Sequence, residues 1–386
     1  MRSVERAHQM RRSPARPRDR AAPHPLRFGP NLYIAHTQPG FETIAADEIE
    51  SRIRGAREIT RRAVPDRAGM SIFFAPAPQP IASLRTAEDI FALAGYRAGL
   101  APETSSLEKI RGAARDAPFV EAGVQWRVHF SPGSRAGRRL RFRVVARMAG
   151  EHEFRRVDFQ RVVERGILER RDHTWRLDEA DADVEFWATM IDTEFFITVR
   201  LSDDRMRHRD YKTAHRPASL RPATAAALAW LSSPQDDDVV LDPFCGAGTI
   251  LIERAHLGRY SMLLGSDRDR EALAAAEANV GNRYQPIKLE NWDAAAIPLE
   301  AGSVDAIVTN LPWGIRYGTH GENRKLYPRW FAEFGRVLKS GGRMVLLTAE
   351  WRLMRDLERA RKIAPEKTYR VSILGTPAAI YVCKKI

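Results

Sequence analysis

From residue 239 onward the hydrophobic positions fall in short unbroken runs, among them Val239-Val240-Leu241, Met262-Leu263-Leu264 and Met344-Val345-Leu346-Leu347, each set apart by stretches of helical spacing. Apolar runs of this length alternating with helices predict strands buried on both faces, hence a mostly parallel sheet. The predicted elements are an alanine-rich helix over 218–231, strands at 239–242, 262–265, 304–308 and 344–347, and helices over 270–280 and 325–338. Strands at 369–374 and 379–382, joined by Gly375-Thr376-Pro377, read as a closing hairpin with an antiparallel edge. Residues 206–386 are therefore expected to be one α/β unit with a mostly parallel sheet that ends in an antiparallel strand.

The pattern before residue 206 is different. A strand at 31–36, a helix over 41–54 with Ile44, Ala45 and Ile49 on one face, a strand at 72–74 and a helix over 87–100 predict a small α/β unit spanning 29–104. In the next unit, 105–205, Leu140-Arg141-Phe142-Arg143-Val144-Val145 alternates with period two, which puts arginines on one face of a strand and apolar residues on the other. A helix over 159–170 and strands at 183–188 and 194–199 follow.

Charge sharpens this picture. The chain has 62 Lys and Arg against 49 Asp and Glu, a net +13. Residues 1–28 hold eight arginines against two acidic residues and have no hydrophobic periodicity, so this basic tail is expected to be disordered. Arg127 to Gly150 contains seven arginines and no acidic residue. A basic strand suits a phosphate backbone, because each neutralised phosphate releases counterions; Arg139, Arg141 and Arg143 are the expected contacts. No apolar run spans a bilayer and no secretory leader is recognisable, which predicts a cytoplasmic protein. Two cysteines, Cys245 and Cys383, exclude a disulfide framework and a multi-cysteine zinc site.

Candidate chemistry lies at the ends of the predicted parallel strands, where ligands bind in such sheets. Asp242-Pro243-Phe244-Cys245-Gly246-Ala247-Gly248-Thr249 closes the first strand; its two glycines let backbone approach a ligand, and the following helix start offers amide groups to a carboxylate. It lacks the third glycine of a dinucleotide loop and the lysine of a P-loop. Asp267, about 20 residues further on, is placed to accept ribose hydroxyls, and Asp293 to accept from an adenine amine. Cys245 is expected to be a small buried residue packing the loop. The tetrad Asn310-Leu311-Pro312-Trp313 ends a later strand. The Asn310 side-chain oxygen and the Leu311 or Pro312 carbonyl can accept both hydrogens of an exocyclic amine, and Trp313 offers a ring on which a base can stack. These groups need neither a metal nor a covalent nucleophile.

At these residues the chain resembles class I methyltransferases with the (N/D)-P-P-(Y/F/W) signature, and within them the THUMP-domain RNA methyltransferases that form N2-methylguanosine in tRNA. His208-Arg209-Asp210-Tyr211-Lys212 and Pro217-Ala218-Ser219-Leu220-Arg221-Pro222 resemble the segment joining THUMP to the catalytic domain, and Glu153-Phe154-Arg155-Arg156-Val157-Asp158 resembles the THUMP core. The resemblance implies a ferredoxin-like unit at 29–104, a THUMP domain at 105–205, a Rossmann-like methyltransferase domain at 206–386 whose seven-stranded sheet has an antiparallel last strand, and S-adenosyl-L-methionine as cofactor. It implies cofactor contacts from Pro217, Ser219, Leu220, Asp242, Phe244, Cys245, Gly246, Gly248, Thr249, Asp267, Asp293 and Asn310. It further implies that Arg155 and Arg156 join the RNA surface, and that the partner is tRNA, gripped at its 3′ end and modified in its acceptor stem. Guanine of ribosomal RNA, adenine-N6 methylation and a non-catalytic RNA-binding protein are the alternatives. The leucine in the second tetrad position and the tryptophan in the fourth depart from the commonest forms.

Overall fold

The computed structural model describes residues 26–64, 68–130, 137–216, 219–314, 319–360 and 363–385. Two sheets organise them. The first is built from β1 (Leu32–Thr37), β2 (Arg57–Val64), β3 (Ala68–Phe74), β4 (Asp89–Arg97), β5 (Arg139–Ala149), β6 (Thr174–Leu177), β7 (Val184–Ile191) and β8 (Glu194–Arg200) in the order β2-β3-β1-β4-β8-β7-β5-β6. Helix α1 (Glu42–Arg52) covers the β1 end; α2 (Ser106–Arg115), α3 (Val120–Phe130) and α4 (Arg156–Leu168) cover the other.

β4 occupies the stretch whose spacing predicts a helix over 87–100. Seven of its nine residues, from Asp89 to Gly95, are buried, because Ile90 and Ala92 pack into one apolar cluster and the alternating Phe91 and Leu93 into another. A strand covered on both faces has no polar alternation, so its apolar run carries no period that separates it from a buried helix. The β4–β8 pairing also makes one continuous sheet across the boundary expected near residue 104. The tail is shorter than expected at its carboxyl end: Leu26 is buried, its N–H donates to the Tyr96 hydroxyl at 3.3 Å, and the Phe28 ring lies 5.3 Å from that of Phe119. Residues 1–25, with most of the basic tail, lie outside the described residues. Deleting 1–28 is therefore expected to lower the Tm by several degrees, as two packed apolar anchors are lost, whereas deleting 1–25 is expected to leave it unchanged; thermal denaturation of both truncations measures this.

After α5 (Asp204–His208) the chain enters the second unit: α6 (Pro222–Leu231), β9 (Val239–Asp242), α7 (Thr249–Ala255), β10 (Met262–Ser266), α8 (Arg270–Val280), β11 (Ile287–Glu290), β12 (Val304–Asn310), α9 (His320–Val337), β13 (Leu338–Thr348), α10 (Trp351–Arg359), β14 (Pro365–Ile373) and β15 (Thr376–Lys384). The seven strands are ordered β11-β10-β9-β12-β13-β15-β14, parallel except for β15. The hairpin is thus not a simple edge: β15, the later of its two strands, inserts between β13 and β14. α6 starts at Pro222, which fits the first helical turn because proline lacks the N–H left over there. α9 starts five residues before its expected position, on a capping box between Thr319 and Glu322. No helix among the described residues is long and apolar enough to cross a membrane.

The two units are locked together. Phe41 and Ile44 pack in one apolar cluster with Leu228, Val371 and Ile380 of the second unit. The Gln38 amide donates to Thr224 at 2.5 Å, buried. Glu253 of α7, fully buried, accepts from Arg85 at 2.6 Å and from the Tyr211 hydroxyl at 2.7 Å.

Candidate active site

The loop after β9 turns sharply because Gly246 and Gly248 have φ of 53° and 76°, values that residues with a Cβ seldom adopt. A Cβ on Gly246 would meet open space, whereas one on Gly248 would press to 3.3 Å from Ala276. Gly246 N–H donates to Asp267 at the end of β10, at 3.0 Å. The other Asp267 oxygen accepts from the Asp269 N–H at 2.9 Å. Asn291, which no motif marks, donates to the Asp267 carbonyl at 2.8 Å and so ties the end of β11 to the same corner. Asp293 is exposed two residues beyond, one carboxylate oxygen accepting from Ala295 N–H at 3.0 Å.

Asp242 is the deepest acidic group here, 1% exposed. One oxygen accepts from Thr309 at 2.6 Å and from Phe244 N–H at 3.2 Å; the other is buried with no hydrogen-bond partner. Burial, with the nearby Asp267 charge adding to it, pushes its carboxyl up to about 7. Thr309, also unmarked by any motif, directly precedes Asn310, so this one bond fixes the glycine loop against the tetrad.

Within the tetrad, Leu311 is buried and its N–H donates to the Leu347 carbonyl at 3.0 Å. The Pro312 carbonyl is taken: Asn323 donates to it at 2.9 Å and the Tyr327 hydroxyl at 3.0 Å. Asn323 also donates to Glu350 at 3.0 Å, and the Tyr327 hydroxyl shares a bond of 2.8 Å with Thr348. With two donors already on it, the Pro312 carbonyl is the poorer of the two expected acceptors, although Leu311 is the more deeply buried residue. The Trp313 indole N–H donates to Asn310 Oδ1 at 3.0 Å.

Of the other expected residues, Cys245 is buried and burial raises its thiol well above the usual range, which keeps it protonated and unreactive. Phe244 stacks edge-on against Trp330 at 4.7 Å, a core contact. Thr249 is buried at the start of α7. Pro217 lies outside the described residues. Ser219 N–H donates to the Arg216 carbonyl at 3.1 Å, and the buried Leu220 offers its carbonyl to Lys212. The linker is brought to the Asp267 corner by an Arg216–Asp269 ion pair.

The basic strand is largely neutralised from within. Arg143 lies opposite Glu185 in the parallel β5–β7 pair and donates to it at 2.6 Å. Arg141 is bonded to Asp183, at 3.0 Å, and to Asp181. Arg155 pairs with Asp158 at 2.9 Å, and Arg147 lies over the Trp187 ring at 4.0 Å. Arg139 and Arg156 are exposed. Asp183 and Glu185 alternate just as the arginines of 140–145 do, and that alternation is the signal in the sequence that the two strands pair.

In the second unit's own strand count the sheet order is 3-2-1-4-5-7-6, with one antiparallel strand and the candidate groups at the ends of β9, β10, β11 and β12. Residues 209–378 match the model of the RMKL-like methyltransferase domain family. Over those residues the second unit is similar to that methyltransferase domain, and its sheet has the class I methyltransferase fold. The crystal structure of TrmN from Thermus thermophilus superposes on the chain with a TM-score of 0.73 at 25% identity, covering 92% of this chain and 99% of that one. A tRNA (guanine(6)-N2)-methyltransferase of the same species is 34% identical over 54% of this chain and 62% of its own length. The bovine tRNA (guanine(6)-N(2))-methyltransferase THUMP3 is 31% identical over 64% of this chain, which spans about half (51%) of that relative's length.

Proposed function

We propose that this protein methylates the exocyclic N2 of guanosine in tRNA, with S-adenosyl-L-methionine as donor and the acceptor stem as target. The observation that supports the reading is the Thr309–Asp242 bond, which holds the glycine loop after β9 and the tetrad after β12 on one rim. The names of the relatives support guanine and tRNA as the base and the molecule.

The residues present fit the cofactor. Asp242 has a buried carboxylate oxygen without a partner, and the backbone at Gly246 faces open space. Asp242, Gly246 and Gly248 would hold its methionine end, Asp267 its ribose and Asp293 its adenine. When bound, S-adenosyl-L-methionine supplies an electrophilic methyl group. The chain's own part is to make a poor nucleophile attack. A guanine amine is weakly nucleophilic because its lone pair is delocalised into the ring. Asn310 Oδ1 and the Leu311 carbonyl accept its two N–H groups and turn the lone pair out of that conjugation. Nitrogen would gain positive charge as its lone pair forms the new N–C bond while the donor's methyl–sulfur bond breaks and its electron pair stays on sulfur as a neutral thioether, so these acceptors bind the transition state more tightly than the ground state. The proton that the nitrogen then loses passes to water. Nucleoside mass spectrometry of tRNA treated with the protein and labelled donor tests the reading: labelled N2-methylguanosine in tRNA is the expected product, and label on adenosine, or only on ribosomal RNA, would refute it.

RNA contact is assigned to the exposed arginines. R139E/R156E is expected to weaken tRNA binding and reduce the slope of log K against log salt by about 1 for each phosphate that is no longer neutralised, with Tm unchanged. R141E/R143E instead places like charges opposite Asp183 and Glu185 and is expected to destabilise the sheet by about 1–2 kcal/mol. Filter binding across a salt series, beside thermal denaturation, separates the two.

A further inference from the structure

An asparagine side chain presents an oxygen and an amino group of nearly equal shape, and only its hydrogen-bond partners decide which way it faces. For the chemistry proposed above the oxygen must face the amine; the flipped amide would set donor against donor. The indole of Trp313 has one polar atom, an N–H that can only donate, and it lies 3.0 Å from Asn310 Oδ1. We infer that Trp313 is a positioning residue that locks the Asn310 amide with its oxygen toward the substrate amine, in addition to offering a ring to the base. This inference rests on the proposed amine methylation and adds a residue role to it.

The surrounding geometry makes the lock stiff. Leu311 is pinned to β13 through its N–H. Pro312 is held through its carbonyl by Asn323 and Tyr327, so Trp313 has little room to swing. Gly314 closes the turn at φ 69°, where a Cβ would stand 2.7 Å from the His320 nitrogen. Oδ1 has two acceptor sites: one takes the indole, the other remains for the amine. A tyrosine or phenylalanine in the fourth position offers a ring but no N–H at that place. An aspartate in the first position needs no such lock, since both its oxygens accept.

That last point supplies the test. Methyl transfer is measured at saturating donor for the wild-type protein, W313F, N310D and N310D/W313F. W313F keeps a ring and loses the donor; it is expected to lower kcat about tenfold, in line with one lost orienting hydrogen bond, with KM for tRNA within about twofold. In the N310D background the same change is expected to cost no more than about twofold. Equal losses in both backgrounds would mean the ring only packs or stacks, and a rise in turnover would mean the indole blocks the acceptor; either overturns the inference. If N310D is too slow to measure, indole N–H exchange decides: W313F identifies the Trp313 resonance, and N310A should speed its exchange about tenfold. Unchanged exchange would also overturn it. A wild-type protein that methylates no guanosine would refute the proposed function instead, and the exchange measurement would still report on the bond.

Discussion

Asn310→Ala is expected to lower methyl transfer by about 10²–10³-fold while affinity for S-adenosyl-L-methionine stays within a few fold. In the proposed mechanism the side chain supplies one of two acceptors for the amine, and its effect grows as charge develops on nitrogen, so the loss falls on kcat. Asn310 is half-buried at the end of β12, where its side-chain oxygen accepts from Trp313. The glycine loop after β9, the proposed cofactor loop, is held by other bonds, chiefly Thr309 to Asp242 and Gly246 to Asp267. Single-turnover assays with calorimetric titration of the cofactor separate the two quantities; lost cofactor binding with intact turnover would reverse the assignment.

Asp242→Asn is expected to stabilise the ligand-free protein at neutral and higher pH while weakening cofactor binding at least tenfold. Burial holds the carboxyl at about 7 against 3.8 for a free one, so the folded protein keeps a proton that the unfolded chain gives up. A carboxyl raised in this way contributes its stability below the unfolded value and loses it as pH climbs through about 7. The penalty at pH 8 is of the order of a few kcal/mol, partly offset in the variant by a new buried amide N–H, at about 1–3 kcal/mol if unpaired. The Tm of wild type relative to the variant should therefore fall from about pH 4 to about pH 7 and then level off. Cofactor affinity of the wild type should rise over the same window, as the ionised carboxylate becomes the acceptor. Scanning calorimetry at several pH values checks the first trend and titration of the cofactor the second; a pH-independent difference would mean Asp242 is already ionised in the empty site.

Much of the catalytic half is readable from its sequence because its signals are local. Helix α8 falls at 270–280 as its spacing predicts, and each motif sits at the end of its strand. What escapes reading is set by partners distant in the chain. Asn323 and Tyr327 capture the Pro312 carbonyl from 11 and 15 residues away, with no pattern to mark them. Thr309 carries no signal except its place before Asn310. The arginines of β5 look like a free cationic face until β7 and the turn before it, 42 residues later, bring Asp183 and Glu185 alongside. β4 escapes for the opposite reason: coverage on both sides erases the alternation that would identify it.

The place of β15 between β13 and β14 bears on how the chain is made. Translation delivers β14 before the strand that must separate it from β13, so β14 emerges from the ribosome with no neighbour to pair with. Until β15 follows, β13 also lacks a partner along one side, and it is β13 that ends in Thr348, just before Glu350. The buttress behind the tetrad is thus finished only when the last strand of the sheet has been synthesised.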